Sequence, residues 1–246
     1  MYKKAIYSVL SNEPLTRDVY RMVLEGDTQW ITRPGQFVNI ELDGFYLRRP
    51  ISISDWSDTT ITIIYKVVGR GTQVMSQMGV GVKLDVLTGL GNGFNPEVEC
   101  QKPLLVGGGV GVPPLYRLAK ELLARGRKVS VVLGFNKADE VFYAEEFKTL
   151  GADVYVSTAD GSVGVKGFVT DAIREAAIDF DYFYSCGPLP MLKALCGCCD
   201  QDGELSFEER MGCGFGACMG CSCKTLTGNK RICKDGPVMK RGEIIW

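Results

Sequence analysis

Four cysteines carry the clearest chemistry in this chain: Cys213, Cys218, Cys221 and Cys233. The first three follow C-x4-C-x2-C, the spacing of plant-type 2Fe–2S ligands, and Cys233 supplies a fourth thiolate. Gly212, Gly214, Gly216 and Gly220 are interspersed among them. A loop so rich in glycine can wrap tightly and turn its backbone N–H groups toward bridging sulfides. Four thiolates also suit a structural zinc ion, although zinc ribbons usually arrange them as two C-x2-C pairs, which this run does not. Cys223 follows Cys221 too closely to share the site and is expected to pack. Cys196, Cys198 and Cys199 fall in an expected helix, where positions i, i+2 and i+3 do not converge on one ion, so packing is expected there too.

A second set of residues suits phosphates. Pro103-Leu104-Leu105-Val106 runs into Gly107-Gly108-Gly109-Val110-Gly111-Val112-Pro113-Pro114, and Leu115, Leu118, Leu122 and Leu123 then recur at helical spacing. A glycine loop between strand and helix lets a pyrophosphate approach the N–H groups at the helix start. Gly107, Gly109 and Gly111 do not form the G-x-G-x-x-G fingerprint, and such a turn can also serve packing alone. Earlier, Arg48-Arg49-Pro50-Ile51-Ser52 sets a guanidinium before a strand, and a planar guanidinium donates in pairs to phosphate oxygens. Ile64-Tyr65-Lys66 leads into Val67-Val68-Gly69-Arg70-Gly71-Thr72, a strand entering a Gly-rich turn whose N–H groups could form an anion nest. An arginine pair at a barrel rim can equally be a solvated edge.

These residues need elements to hold them. From Lys3 to about Glu99, short alternating runs are separated by Gly, Pro, Asn and Asp, as at Gln36–Leu42, Ile51–Ser54, Thr60–Val68 and Lys83–Leu87. That spacing predicts a closed antiparallel β-barrel. Beyond Cys100 strands (Val129–Phe135, Asp153–Ser157, Tyr182–Ser185) alternate with helices (Leu115–Arg125, Ala144–Leu150, Phe168–Ala177, Leu189–Cys198), which predicts a mostly parallel sheet. Leu205–Met211 is expected as a strand entering the cysteine loop, and Lys224–Ile232 as a hairpin turning at Thr227-Gly228-Asn229. The fold class expected is therefore mixed: a barrel over 1–99, an α/β nucleotide domain over 100–202 and a small cluster domain over 203–246.

Composition narrows the functions. The 246 residues include no His, which removes Ser-His-Asp and Cys-His nucleophilic sites and His-ligated zinc or haem. Bound cofactors are then expected to carry any redox chemistry, and no catalytic side chain is assigned to this chain. A net charge of −1 gives no reason to expect nucleic acid or a membrane surface. No apolar run is long enough to span a bilayer, the start does not resemble a signal peptide, and ten Cys without export suggest the cytoplasm.

Arg49-x-x-Ser52 followed by Gly71-Thr72 is similar to the flavin-binding pattern of the ferredoxin–NAD(P)H reductase superfamily. Gly107-x-Gly109-x-Gly111-x-x-Pro114 and Cys186-Gly187-Pro188 with Met191 resemble its nicotinamide-binding elements. The resemblance implies that Arg49 holds an FAD pyrophosphate, that Ser52 sits near the flavin, and that Cys186 and Gly187 lie where nicotinamide meets it. Ile51 stands where the family usually has Tyr, so no stacked ring is implied there. Glu208–Cys221 and Cys233-Lys234-Asp235-Gly236-Pro237-Val238 closely resemble the electron-transfer subunits of dihydroorotate dehydrogenase B, and the likeness runs the whole length. It implies FAD, a 2Fe–2S cluster on the four cysteines, and NAD as diffusible substrate. The implied partner is an FMN-containing catalytic subunit, in a heterotetramer of two of each, whose electrons pass through cluster and FAD to NAD. The flavin subunit of a sulfhydrogenase or of a ferredoxin:NADP transhydrogenase, and a zinc-stabilised nucleotide-sensing module, stay open as alternatives. So does NAD against NADP: Gly134-Phe135-Asn136-Lys137 lacks an acidic residue for the ribose, and Lys137 would tolerate a 2′-phosphate.

Overall fold

In the computed structural model, which describes residues 2–246, the first ninety residues close on themselves. Met1, at the head of the expected barrel, lies outside the described residues. Strands β1 (Lys3–Pro14), β2 (Val19–Glu25), β3 (Phe37–Ile40), β4 (Arg49–Trp56) and β5 (Thr60–Lys66) are followed by helix α1 (Arg70–Ser76) and strand β6 (Lys83–Leu90). They form an antiparallel barrel in the order β1-β2-β5-β4-β3-β6. Alternation along each strand sends Tyr7, Val9, Met22, Leu24, Val38, Ile40, Ile53, Ile61 and Ile63 inward, where they make one apolar core. Helix α1 replaces the turn expected at Gly69–Thr72. The strand stops at Lys66, and the Thr72 hydroxyl accepts from Val68 N at 3.0 Å and Gly69 N at 3.3 Å, starting a helix. The glycines that suggest a loop hide that start.

The second sheet comprises β7 (Pro103–Gly108), β8 (Ser130–Phe135), β9 (Asp153–Thr158), β10 (Val165–Lys166), β11 (Tyr182–Cys186), β12 (Gly203–Ser206) and β15 (Val238–Lys240), in the order β10-β9-β8-β7-β11-β12-β15. All pairs are parallel except β12 with β15. Helices α2 (Pro114–Ala124) and α3 (Ala144–Leu150) belong to the core on one face, with α4 (Val169–Glu175) and α5 (Leu189–Cys198) in the core on the other. Pro114 opens α2, and Leu115, Leu118, Ala119 and Leu122 bury one stripe at i, i+3, i+4, i+7. The order reverses at β7: β8 lies on one side of it and β11 on the other, so their carboxyl ends flank a switch-point crevice.

The chain from Gly203 onward is not a free appendage. Strands β12 and β15 extend the sheet, whereas the strand expected to reach Met211 ends at Ser206. Hairpin β13 (Ser222–Thr225) and β14 (Gly228–Arg231) turns through Leu226-Thr227 and returns Cys233 toward Cys221. Cys221, Ile232, Cys233 and Met239 pack with Phe37, Leu87 and Leu90 of the barrel wall. Barrel and sheet are joined by Asp55 of β4, which meets Arg117 at 3.3 Å and Lys120 at 2.7 Å on α2. Arg117 also lies 4.1 Å over the Trp56 ring. Among the described residues no helix is long and apolar enough to cross a membrane.

Candidate functional site

The four cysteines fall into two pairs. Cys213 Sγ accepts from Ala217 N at 3.2 Å and Cys218 N at 3.4 Å, while Cys218 Sγ accepts from Cys213 N at 3.4 Å and Gly220 N at 3.5 Å. Cys221 Sγ accepts from Cys233 N at 3.4 Å. Gly214 at φ +79° and Gly216 at φ +90° give the loop its curl, a backbone region costly for other residues. Arg231 then clamps it, donating to the Gly216 carbonyl at 2.8 Å while held by Asp235 at 2.9 Å. Cys221 and Cys233 are each 2% exposed, whereas Cys213 is half-buried and Cys218 exposed. Burial pushes the Cys213 thiol up, but the N–H groups of Cys218, Phe215 and Ala217 outweigh it and bring the pKa down to about 6. Burial and the neighbouring Cys221 push Cys233 up to about 12. This donor set fits a 2Fe–2S cluster, which takes two thiolates per iron. Cys223 packs against the apolar seam beneath the loop, and Cys196 and Cys199 against the sheet, as expected, whereas Cys198, expected to pack with them, is exposed.

The flavin expectation meets a gap in the barrel. The β4–β5 ladder runs from Trp56↔Ile61 to Ile53↔Ile63 and stops. Beyond it Arg49, Pro50, Ile51 and Ser52 pair only with β3, and Ile64, Tyr65 and Lys66 only with β2. Two strand edges thus face each other unpaired, a slot whose free peptide groups can bind the polar edge of a flat heterocycle. At its mouth a cleft of about 420 Å³ is lined by Phe45, Arg49, Arg70 and Val68–Thr72. The guanidinium groups of Arg49 and Arg70 lie 4.7 and 6.0 Å over the Phe45 ring. Gly71 lets Arg49 cross it: a Cβ there would stand 2.1 Å from Arg49 Nε. Two guanidinium groups beside a glycine-rich backbone fit a pyrophosphate.

Several expected residues sit there differently than their side chains suggest. Tyr65 points into the barrel, its hydroxyl donating to Asn12 Oδ1 at 2.9 Å, and burial raises its pKa. Ile64 packs toward the parallel sheet, Lys66 pairs with Asp18 at 3.2 Å, and Ile51 leans on the barrel core. Thr72 spends its hydroxyl on its own turn, donating to Gly69 O at 3.1 Å. What Ile64–Lys66 can offer a ligand is therefore backbone. Of the two arginines, Arg48 is taken by Asp85 at 2.8 Å and by Glu41, which leaves Arg49 for the cleft.

At the switch point the glycine loop closes on the end of β11. A Cβ on Gly111 would lie 2.2 Å from the Cys186 carbonyl oxygen, and one on Gly107 would lie 2.9 Å from Val112 Cγ2. Gly109 is at φ +52° with nothing within 4 Å of its Cβ position, so its backbone stays open to a phosphate. A Cβ on Gly108 would strike Met191 Sδ at 2.6 Å, which ties the C-G-P-x-x-M element to the loop. Burial pushes the Cys186 thiol up to about 12, the Ser206 hydroxyl draws it down, and the Glu208 charge adds to the rise. The group there is a neutral thiol. Ser206 and Glu208 come from β12 and the strand end after it, and no sequence signal links them to Cys186. The terminal Trp246 packs on Phe207, ring centroids 6.2 Å apart. Lys137 is paired with Asp139 at 2.9 Å.

An antiparallel barrel with an open slot, a parallel sheet with a glycine-lined switch point and a four-thiol loop define an oxidoreductase of the ferredoxin reductase type. Residues 208–245 match the iron–sulfur cluster binding domain of dihydroorotate dehydrogenase B, and residues 105–197 match the oxidoreductase NAD-binding domain. A dihydroorotate dehydrogenase B (NAD+) electron transfer subunit from Fusobacterium nucleatum is 48% identical, covering 96% of each chain. One from Lysinibacillus sphaericus is 46% identical, covering 99% of each. The solved structure of an NADH-dependent reduced ferredoxin–NADP oxidoreductase superposes with TM-score 0.89 at 31% identity, over 98% of this chain and 90% of that one. The chain belongs to the family of dihydroorotate dehydrogenase B electron-transfer subunits. That membership implies a catalytic partner subunit.

Proposed function

We infer that this chain is the NAD-facing subunit of a cytoplasmic dihydroorotate dehydrogenase, assembled with an FMN-containing catalytic subunit as two of each. The β4–β5 slot receives the flavin of FAD, with Arg49 and Arg70 at its pyrophosphate. Gly107, Gly109 and Gly111 receive the NAD pyrophosphate, and Cys186–Gly187 bounds the nicotinamide. Cys213 and Cys218 hold one iron of a 2Fe–2S cluster, Cys221 and Cys233 the other. When bound, the flavin converts between the electron pair of a nicotinamide hydride and the single electrons of a cluster. The chain's own part is to orient and enclose: the neutral thiol of Cys186, part-buried at the end of β11, offers no charge to the nicotinamide, and the apolar seam under Cys221 and Cys233 excludes water. Proton abstraction from dihydroorotate then belongs to the partner, in keeping with a chain that has no His.

The observation that carries this reading is the pairing of four thiols, two by two, against the wall of a barrel whose ladder opens at the expected flavin residues. Cys218→Ser is the test. NADH should still reduce the flavin at the wild-type rate, while dihydroorotate-dependent NAD reduction by the reconstituted complex falls to background. Coupled turnover at the wild-type rate would overturn the cluster's place in the route. Purified protein carrying neither flavin nor iron would overturn the whole reading.

A further inference from the structure

Asn39 lies in the barrel strand β3, only 1% exposed, within a seam otherwise made of Phe37, Leu87 and Leu90. A buried amide in apolar surroundings costs stability unless its hydrogen bonds are made. Here only half are: Nδ2 donates to the carbonyl of Cys213 at 3.4 Å, while Oδ1 is buried with no partner. A leucine of similar size would bring no unpaired side-chain oxygen into the seam, and would give up only the bond to Cys213. The polar residue therefore has work other than packing.

Its position states what that work is. In the ladder Asn39 stands opposite Pro50 of β4, in the middle of the strand edge that faces the flavin slot. Its carbonyl also accepts from Arg48 Nη1 at 3.3 Å, next to the arginine of the cleft. Its side chain meets the first cluster cysteine. Gly214, the next residue of that loop, comes so close that a Cβ there would lie 2.3 Å from Asn39 Nδ2, and its φ of +79° holds the approach. One residue thus touches the slot's wall through its backbone and the cysteine loop, at the backbone of Cys213 and Gly214, through its amide.

We propose that Asn39 is the positioning residue that couples the flavin slot to the cluster, fixing Cys213 against β3 so that the two redox sites keep one separation and one relative orientation. This rests on the reading of slot and thiols given above. A hydrogen bond to the backbone of a metal-ligating residue also orients that ligand, and loss of such outer partners typically costs about 10–100-fold in metal affinity or activity. Electron exchange between the sites, not either site alone, is where the loss falls.

The test uses Asn39→Leu and Asn39→Ala in the full chain, with four readouts: flavin content, iron content, stopped-flow absorbance and electron paramagnetic resonance of the reduced cluster. Flavin reduction by NADH should stay within about twofold of wild type, because no nicotinamide contact changes. Cluster reduction after it should slow by about tenfold or more, with a changed g-tensor from the reoriented Cys213. If Asn39→Leu loses iron because leucine crowds Gly214, Asn39→Ala, which adds no bulk, decides. Wild-type cluster reduction with a wild-type spectrum in the variant that keeps its iron would overturn the proposal. So would iron loss from both variants, since Asn39 would then be a structural prop. A wild-type protein without flavin or cluster is a separate failure, that of the underlying reading.

Discussion

The nicotinamide end and the cluster end of this molecule both depend on glycine, for opposite reasons. At the switch point glycine is used for closeness: Gly107 and Gly111 admit Val112 and the Cys186 backbone to distances no Cβ tolerates. That end is shaped by packing, on strands buried on both faces. In the cysteine loop Gly214 and Gly216 are used for backbone sign, at φ +79° and +90°. The loop lies near the surface, with Cys218 exposed and Cys213 half-buried. The arrangement there is completed by whatever the thiols bind, and metal binding becomes part of its stability. One end is a fixed receptor; the other is finished by its contents.

The largest effect that would sharpen this contrast is Gly111→Ala. Its methyl would displace the Cys186 backbone, and a misplacement of about 1 Å at such a site can cost on the order of 10²-fold. NADH-dependent flavin reduction should fall by that order while iron content is unchanged. An unaffected rate would mean that the switch-point end is as adaptable as the loop.

The next contrast lies within the cluster end. All four Cys→Ser variants should lose the cluster's visible absorption. In iron-free protein, Cys221→Ser and Cys233→Ser should also lower unfolding stability by about 1–3 kcal/mol, because each buries a hydroxyl in the apolar seam. Cys218→Ser, at the exposed position, should stay within about 0.5 kcal/mol. Equal losses in chemical denaturation would remove the distinction between the pairs.

Thiol reactivity gives a finer probe. In iron-free protein Cys213, with its pKa lowered to about 6, should be alkylated readily at pH 7, whereas Cys233, raised to about 12, should resist. Its ordinary value of 9.0 in the unfolded chain sets the direction of linkage. Between about pH 6 and 9 the unfolded chain holds a proton that the folded one has released, so stability rises with pH across that window. This contribution is fully present above pH 9 and is lost as pH falls through about 6. Peptide mapping after iodoacetamide treatment across that range checks it. The smallest effect belongs to the seam between barrel and sheet: Asp55→Asn, which leaves Arg117 and Lys120 without their carboxylate, should cost about 1 kcal/mol, read by thermal melting.

Much of this was legible because it is local. C-x4-C-x2-C names its ligands in nine consecutive residues, 213–221, and a strand–glycine–helix run such as 103–125 announces a nucleotide loop by itself. Helix α5 was readable over Leu189–Cys198 from its apolar spacing. Helix α1 was not, since its first turn reads as a glycine loop until the Thr72 cap is seen. Asn39 gave no signal at all: a polar residue between Val38 and Ile40 looks like any outward strand position until another segment covers it. Tyr65, expected beside a cofactor, turns its ring into the core because β-strand alternation points it inward.

Residue order alone pointed to the chemistry of this protein: four thiolates, a glycine loop and an arginine before a strand, with histidine absent, favour cofactor-borne redox transfer over a zinc-stabilised module. Ligand types and short spacings are set by neighbours along the chain. Only the folded molecule decided which thiols pair, that the β4–β5 ladder stops at Ile53 and Ile63, and that the last strands join the parallel sheet. Those are outcomes of contacts between segments up to two hundred residues apart, and such contacts are settled by which apolar faces bury one another, a quantity no local spacing contains.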